Sequence, residues 1–118
     1  NWKIQWTEDA LHIENDNIFY IFSRKKCLLK EAGLIQKQGK KVLIKGGPFL
    51  NTAGFLLGKW IGRSLEICSV DGAENVQIKI SGTYENTLDI CFYLTLFRME
   101  YWKLHMKFRS YSAICHTV

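Results

Sequence analysis

Short runs in which apolar and polar residues alternate recur along this chain, and they constrain its fold more than any other feature. The clearest runs are "WKIQW", "ALHIE", "VQIKIS" and "WKLHMKF". A period of two residues places every second side chain on one face of an extended strand, so each run predicts a half-buried strand. The β-branched and aromatic run "IFYIFS" predicts another. Because turn signals separate these runs, we expect an all-β fold, an antiparallel sandwich or barrel.

The length of the chain suits a single domain. Its 118 residues, 47% of them hydrophobic, can bury a core of their own. We therefore predict one β-sandwich domain over residues 1–118. Both ends fall within patterned sequence, so we expect a fragment of a longer protein. The sequence shows no targeting or membrane-spanning segment, which leaves cytoplasmic and periplasmic locations open and predicts no membrane contact.

Residues 24–38 admit two interpretations. As a helix, the segment would use Ser23 as its N-cap and would end before Gly39. As a hairpin, "RKKC" would form the turn and "LLKEAGLIQ" the returning strand. The pattern alone slightly favours the helix, although Gly33 near its centre would cost about 1 kcal/mol relative to alanine.

The block "LDICFYLTLFRMEYWKLHMKFRSY" is predicted to form two strands. It lacks a helix cap and is dense in aromatic residues, and both features favour strands. We expect the chain to reverse between Arg98 and Tyr101. Large aromatic residues of β domains lie mostly in the core, so we expect Trp2, Trp6 and Trp102 there.

The formal net charge is +5, but the charges are scattered along the sequence. Dense runs occur only at "RKK", which is Arg24 to Lys26, and at "KK", which is Lys40 and Lys41. Turns are predicted at both places. Because a nucleic-acid site needs a clustered basic face, we interpret these residues as solvated and predict no nucleic-acid binding.

None of the four cysteines lies at the C-x-x-C spacing of a metal or redox site. Cys68 and Cys91 fall inside apolar, strand-like runs, where we expect buried free thiols that pack as small hydrophobic side chains. One or two disulfides are the alternative if the compartment is oxidising.

Catalytic and cofactor motifs are absent from the sequence. The acidic residues lie mostly at predicted turns or on the polar faces of strands, so no pair of carboxylates stands out for acid and base chemistry. The histidines lack metal-ligand spacing, and neither a G-x-S-x-G motif nor a phosphate-binding glycine loop occurs. We therefore predict no complete catalytic site, no metal and no cofactor in this chain.

A tryptophan in a glycine-rich stretch is the candidate for sugar binding. Trp60 and Arg63 lie in "GKWIGRS". Sugar C–H faces stack on aromatic rings, while sugar hydroxyl groups need polar partners. The alternative interpretation, which we favour, is that Trp60 packs between two sheets.

The segment "IFYIFSRKKCLLKEAGLIQKQGKKVLIKGGPFLN" resembles the start of the C-terminal β-sandwich domain of glycoside hydrolase family 2 β-galactosidases. The shared pattern is an aromatic strand, a basic turn, a strand, a glycine turn, and a Gly-Pro followed by an apolar residue and Asn51. "GKWIGRSLEICSV", "VQIKISGTYE" and "YWKLHMKF" resemble the strands that follow in that family. The resemblance spans residues 10–110 and is most specific from Ile18 to Asn51.

Two positions depart from the family pattern. Cys27 stands in the basic turn where the family usually has glycine, so Cys27 must avoid a left-handed conformation or accept strain. Asn51 is followed by "TAGF" instead of Trp-Arg-Ala-Pro and an acidic cluster. The contacts of that cluster with a catalytic domain are therefore not carried over to this chain.

The resemblance implies a partial galactose-mutarotase-like supersandwich that belongs to a multidomain enzyme and has no catalytic residues of its own. The parent would hydrolyse terminal β-galactosides, and this domain would pack beside its catalytic barrel. Asn51 joins Trp60 and Arg63 as a binding candidate. The resemblance also favours the hairpin over residues 24–38, and it makes the Gly-Gly-Pro break at 46–48 the point where the chain is redirected.

Two expectations about partners follow. The missing part of the supersandwich would leave an unpaired sheet edge, either exposed or buried in a homodimer. The alternative function is a stand-alone carbohydrate- or small-ligand-binding module, for which we would expect a cavity lined by aromatic residues.

Overall fold

The computed structural model describes residues 2–48, 58–71, 75–85, 87–100 and 103–111, with side chains as far as Phe97 except that of Asp71. These residues contain no helix that is long and apolar enough to cross a membrane. Their regular structure consists of the strands β1 (Lys3–Trp6), β2 (Ala10–Glu14), β3 (Ile18–Ser23), β4 (Leu28–Gln36), β5 (Gly39–Lys45), β6 (Trp60–Asp71), β7 (Asn75–Tyr84), β8 (Leu88–Glu100) and β9 (Lys103–Tyr111).

Two antiparallel sheets are formed, and each is a meander in which every strand pairs with the next one along the chain. One sheet has the order β1-β2-β3-β4-β5, and the other has the order β6-β7-β8-β9. Such pairings need only short connections, which cost little loop-closure entropy. The prediction of an all-β antiparallel sandwich is therefore confirmed for the described residues.

The two sheets share one hydrophobic core. The predicted alternation of β7 is confirmed as far as Ile80, because Val76, Ile78 and Ile80 are fully buried while Gln77 is exposed, but Ser81, expected on the outer face, is buried. Each aliphatic side chain buried in this way stabilises the fold by about 1.5–3 kcal/mol. The core includes Leu11, Ile13, Ile18, Tyr20, Phe22, Leu29 and Ala32 from the first sheet, and Val76, Ile78, Ile80, Ile90, Phe92, Leu94 and Leu96 from the second.

Residues 24–38 form a hairpin with β3, so the helix that the pattern slightly favoured is wrong. β4 pairs with β3 on one side and with β5 on the other. A helix here would leave the inner strands of the sheet without partners for their backbone groups. The turn is closed by a hydrogen bond of 3.1 Å from the Lys26 N–H to Ser23 Oγ.

Trp6 does not lie in the core, contrary to the prediction. Its side chain is 44% exposed at the end of the edge strand β1, and the Arg24 guanidinium lies 5.3 Å from its ring centroid. Trp2 is half-buried and packs against the core, in agreement with the prediction. The alternation of this run holds as far as Gln5 and fails at Trp6, the last residue of the strand.

The two cysteines predicted as buried free thiols also differ from expectation. Cys68 is free but exposed. A β-bulge between Ile67 and Ser69 leaves Cys68 without a paired residue in β7, and bulges change the direction of a side chain. Cys91 is buried as predicted, but it is disulfide-bonded.

The C-terminal block forms two strands, as predicted, and the reversal between Glu100 and Lys103 lies close to the predicted range of Arg98 to Tyr101. β8 continues to Glu100, and Glu100 pairs with Lys103 of β9. An irregularity in the pairing between Phe97 and Glu100 lengthens this end of β8. Trp102 lies outside the described residues.

Candidate functional site

A cavity of about 620 Å³ opens at one end of the five-stranded sheet. Its walls come from the β1–β2 turn, from the β3–β4 turn with the first residues of β4, and from two glycines that follow β5. The volume lies within the range of about 300–1,000 Å³ that is usual for small-molecule sites. The lining residues are Asp9, Ala10, Ser23, Lys25, Lys26, Leu28, Leu29, Lys30, Gly46 and Gly47.

Backbone hydrogen bonds hold these wall segments together. The Arg24 N–H donates to the Asp9 carbonyl at 3.0 Å, which joins the β3–β4 turn to the β1–β2 turn. The Gly46 N–H donates to the Lys30 carbonyl at 3.1 Å, and the Leu29 N–H donates to the Gly47 carbonyl at 2.8 Å. The cavity is therefore bounded by a hydrogen-bonded framework.

The Gly-Gly-Pro break supplies one wall. Gly46 and Gly47 have φ angles of 83° and 103°, a region that glycine adopts without the steric cost of a Cβ. The Gly47–Pro48 peptide bond is cis, and Pro48 has no N–H to continue a sheet. The regular strand β5 ends at Lys45, Gly46 and Gly47 still hydrogen-bond to β4, and the break places backbone instead of side chains beside the cavity.

Three lysines and one aspartate carry the charge of the cavity. Lys25 and Lys26 lie in the β3–β4 turn, and Lys30 lies at a β-bulge of β4 that leaves it unpaired with β3. All three side chains are exposed. Within the described part of the chain none of them forms an ion pair. Lys40, outside the cavity, instead has Glu14 at 3.7 Å.

Trp60 supports the cavity wall from the opposite sheet. Its indole N–H donates to the Lys26 carbonyl at 2.7 Å, and its ring lies 5.1 Å from that of Tyr84 and 5.9 Å from that of Phe92. The side chain is half-buried. This placement agrees with the interpretation of Trp60 as a residue that packs between the sheets.

Two glycines allow this close approach. A Cβ on Gly62 would lie 2.4 Å from the Lys26 carbonyl oxygen, and a Cβ on Gly82 would lie 2.4 Å from the Trp60 ring. Real Cβ atoms do not come so close to such neighbours, so both positions need glycine. The glycine density around Trp60 is thereby explained by packing between β6, β7 and the β3–β4 turn.

The other two candidate binding residues are not brought to the cavity by the described structure. Arg63 occupies a β-bulge of β6, where its guanidinium donates to the Gly82 carbonyl at 3.4 Å and lies 3.8 Å from the Asp89 carboxylate. Asn51 lies outside the described residues. Arg63 and Trp60 share Gly82 as a neighbour, but they contact its carbonyl and its Cα face respectively.

The free thiols have the properties of structural cysteines. Burial raises the pKa of Cys27, and its thiol lies 3.4 Å from the Arg24 carbonyl, to which it donates. The pKa of Cys68 is raised mainly by burial and, to a smaller extent, by the negative charge of Glu66. The positive charge of Lys79 opposes this shift. A raised pKa disfavours the thiolate, so neither thiol is activated as a nucleophile. No group of three metal-binding side chains is found among the described residues.

The sequence pattern does not identify the cavity lysines as a site. It predicts a solvated turn at "RKK" and a change of chain direction at the glycine break. Two sequence features indicate that the basic turn and the glycine break lie close together. The basic turn precedes β4, and the Gly-Gly pair follows β5, which is adjacent to β4. Lys30 could not have been assigned, because its position depends on a β-bulge.

Comparisons of the chain with models of protein families, with curated proteins and with solved structures found no match.

Proposed function

We propose that this chain is a non-catalytic β-sandwich domain of a β-galactosidase-like glycoside hydrolase, in which it packs beside the catalytic barrel. The observation that carries the proposal is the backbone at Cys27, whose φ is 54°. The resembling family usually has glycine at this turn position, and glycine is the residue expected where φ is positive. The positive φ at Cys27 is therefore the backbone angle that a glycine at this turn position would favour, and it supports the proposal.

The edge of the first sheet supports a docking role. β5 is the last strand in its sheet, and Val42 and Leu43 are 37% and 46% exposed. Leu43 is the extra residue of a β-bulge opposite Ala32 and Gly33. Adjacent exposed aliphatic residues on an edge strand favour aggregation of a free domain. A partner domain that covers them would prevent this aggregation.

The test uses size-exclusion chromatography with light scattering on the isolated chain. We expect self-association that rises with concentration, because the edge has lost its partner. Replacing Val42 with lysine should reduce this self-association, whereas Val70→Lys on β6, an edge strand of the second sheet, is the matched control and should not. A wild-type chain that stays monomeric at high concentration would contradict the docking role.

A second candidate is a stand-alone carbohydrate-binding module, which the volume of the cavity supports, although its described lining lacks the expected aromatic residues. The fluorescence of Trp60 should report ligand binding in the cavity, since its indole N–H donates a hydrogen bond to the Lys26 carbonyl in the cavity wall. Titration of a monomeric chain with galactose and lactose should then give a saturable change in tryptophan fluorescence that Trp60→Phe removes. An unchanged spectrum at high sugar concentration would leave only the first candidate.

A further inference from the structure

We propose that the cavity binds an acidic saccharide, with its lysines contacting a carboxylate or sulfate group of the sugar. This inference goes beyond the parent enzyme proposed above. The cavity walls all belong to this chain, so the inference can be tested without a catalytic domain.

The first step of the argument is charge. The lining that the structure describes combines three lysine ammonium groups with one carboxylate, Asp9, and none of these lysines has an acidic partner there. The nearby Arg24 is already engaged, because its guanidinium donates to the Thr7 carbonyl at 2.8 Å. Like charges that surround a concave surface attract an anion, and the Lys side chain binds oxyanions as a point charge.

The second step is the apolar part of the wall. Ala10 and Leu29 are buried, and Leu28 is half-buried, so the cavity joins aliphatic carbon to charged groups. An inorganic anion is hydrated on all sides and gains nothing from aliphatic walls. A sugar ring presents C–H groups as well as polar groups, and a sugar acid therefore matches both kinds of wall.

The third step is rigidity. Gly46 and Gly47 form backbone hydrogen bonds with β4, and the Lys26 carbonyl accepts a hydrogen bond from the Trp60 indole. The backbone positions from which the lysines extend are therefore fixed before a ligand arrives. Ligand binding then costs conformational entropy mainly in the lysine side chains.

The experiment is isothermal titration calorimetry of the 118-residue chain with D-galacturonate, D-galactose 6-sulfate, D-galactose and sodium sulfate. We expect both acidic sugars to bind at least about fivefold more tightly than galactose, since exposed charge pairs each contribute a small factor. Their affinity should fall as ionic strength rises, because salt screens exposed charges.

Two variants with equal change in net charge locate the site. The triple variant Lys25→Gln, Lys26→Gln and Lys30→Gln should lose binding by about twofold to fivefold for each lysine that takes part. The matched control changes Lys3, Lys37 and Lys41 to glutamine, which are exposed residues outside the cavity. The control should bind as the wild type does.

Four outcomes would overturn the proposal. Galactose that binds as tightly as the acidic sugars would remove the role of charge, and sulfate alone that binds as tightly as they do would remove the role of the sugar ring. Equal losses in the two triple variants would show that only overall charge matters. No measurable binding of either acidic sugar would refute the site.

Discussion

Cys27 shows how one backbone angle links the sequence to the fold. Its φ of 54° lies in the left-handed region, where a side chain costs about 1–2 kcal/mol. The residue is 4% exposed and belongs to the core cluster. The core contacts of the thiol therefore offset the cost of the backbone at the turn that carries Lys25 and Lys26.

The two smallest substitutions at this position separate the backbone from the side chain. Cys27→Ala and Cys27→Gly both remove the thiol, but only glycine accepts the left-handed angle without a Cβ. We expect the glycine variant to be more stable than the alanine variant by about 1 kcal/mol. Urea unfolding measures the difference. An alanine variant as stable as the glycine variant would contradict the left-handed assignment.

Burial also makes the stability of the fold depend on pH. The pKa of Cys27 is raised above its ordinary value of 9.0 and that of Tyr20 is raised as well, both by burial. Groups with a raised pKa in the fold stabilise it below their unfolded pKa, and this contribution is lost as pH rises through the folded value. Thermal melts should therefore show decreasing stability above about pH 9. Cys27→Ala should reduce the decrease without abolishing it, because Tyr20 remains. A melting temperature that stays level from pH 7 to 10.5 would contradict this account.

At the scale of the elements, the contact between β6 and the β3–β4 turn connects the two sheets beside the cavity. Gly62 allows β6 to approach Lys26, and Trp60 then reaches the Lys26 carbonyl. The sequence shows that this stretch is rich in glycine, but it does not identify the opposing segment. The opposing turn is far away in the sequence, so its identity depends on how the two meanders pack.

A methyl group at position 62 tests this contact. Gly62→Ala would place a Cβ against backbone, which cannot move aside cheaply, so we expect a loss of about 1–3 kcal/mol of stability. The emission of Trp60 should shift to longer wavelength as its indole becomes more hydrated. Ser69→Ala, an exposed site in the same strand, is the control and should change neither. A Gly62→Ala protein with wild-type stability would mean that the two segments are further apart.

The elements were predictable to the extent that one face of each strand is buried. β2 and β7 follow their alternation, whereas the bulges at Lys30, Arg63 and Cys68 are invisible to a period of two residues. The hairpin over residues 24–38 could not be separated from a helix by local pattern. Its two neighbouring strands decide the outcome, and their pairing is not a local property.

At the scale of the whole molecule, the described residues form two meanders around one core, with β5 and β6 among the edge strands. This architecture is compatible with either candidate function. The two candidate functions differ in whether the chain is part of a larger polypeptide. A domain that docks beside a catalytic barrel is part of a larger polypeptide, while a binding module acts alone.

The most direct test of the proposed parent enzyme is the size and activity of the native protein that carries this chain. An antibody raised against the chain would be used to immunoblot denatured extracts of the producing cells, and to capture the native protein for assay with p-nitrophenyl β-D-galactoside. We expect a polypeptide several times longer than 118 residues and a captured fraction that hydrolyses the substrate. A polypeptide no longer than this chain, without hydrolytic activity, would contradict the account and leave the stand-alone binding module.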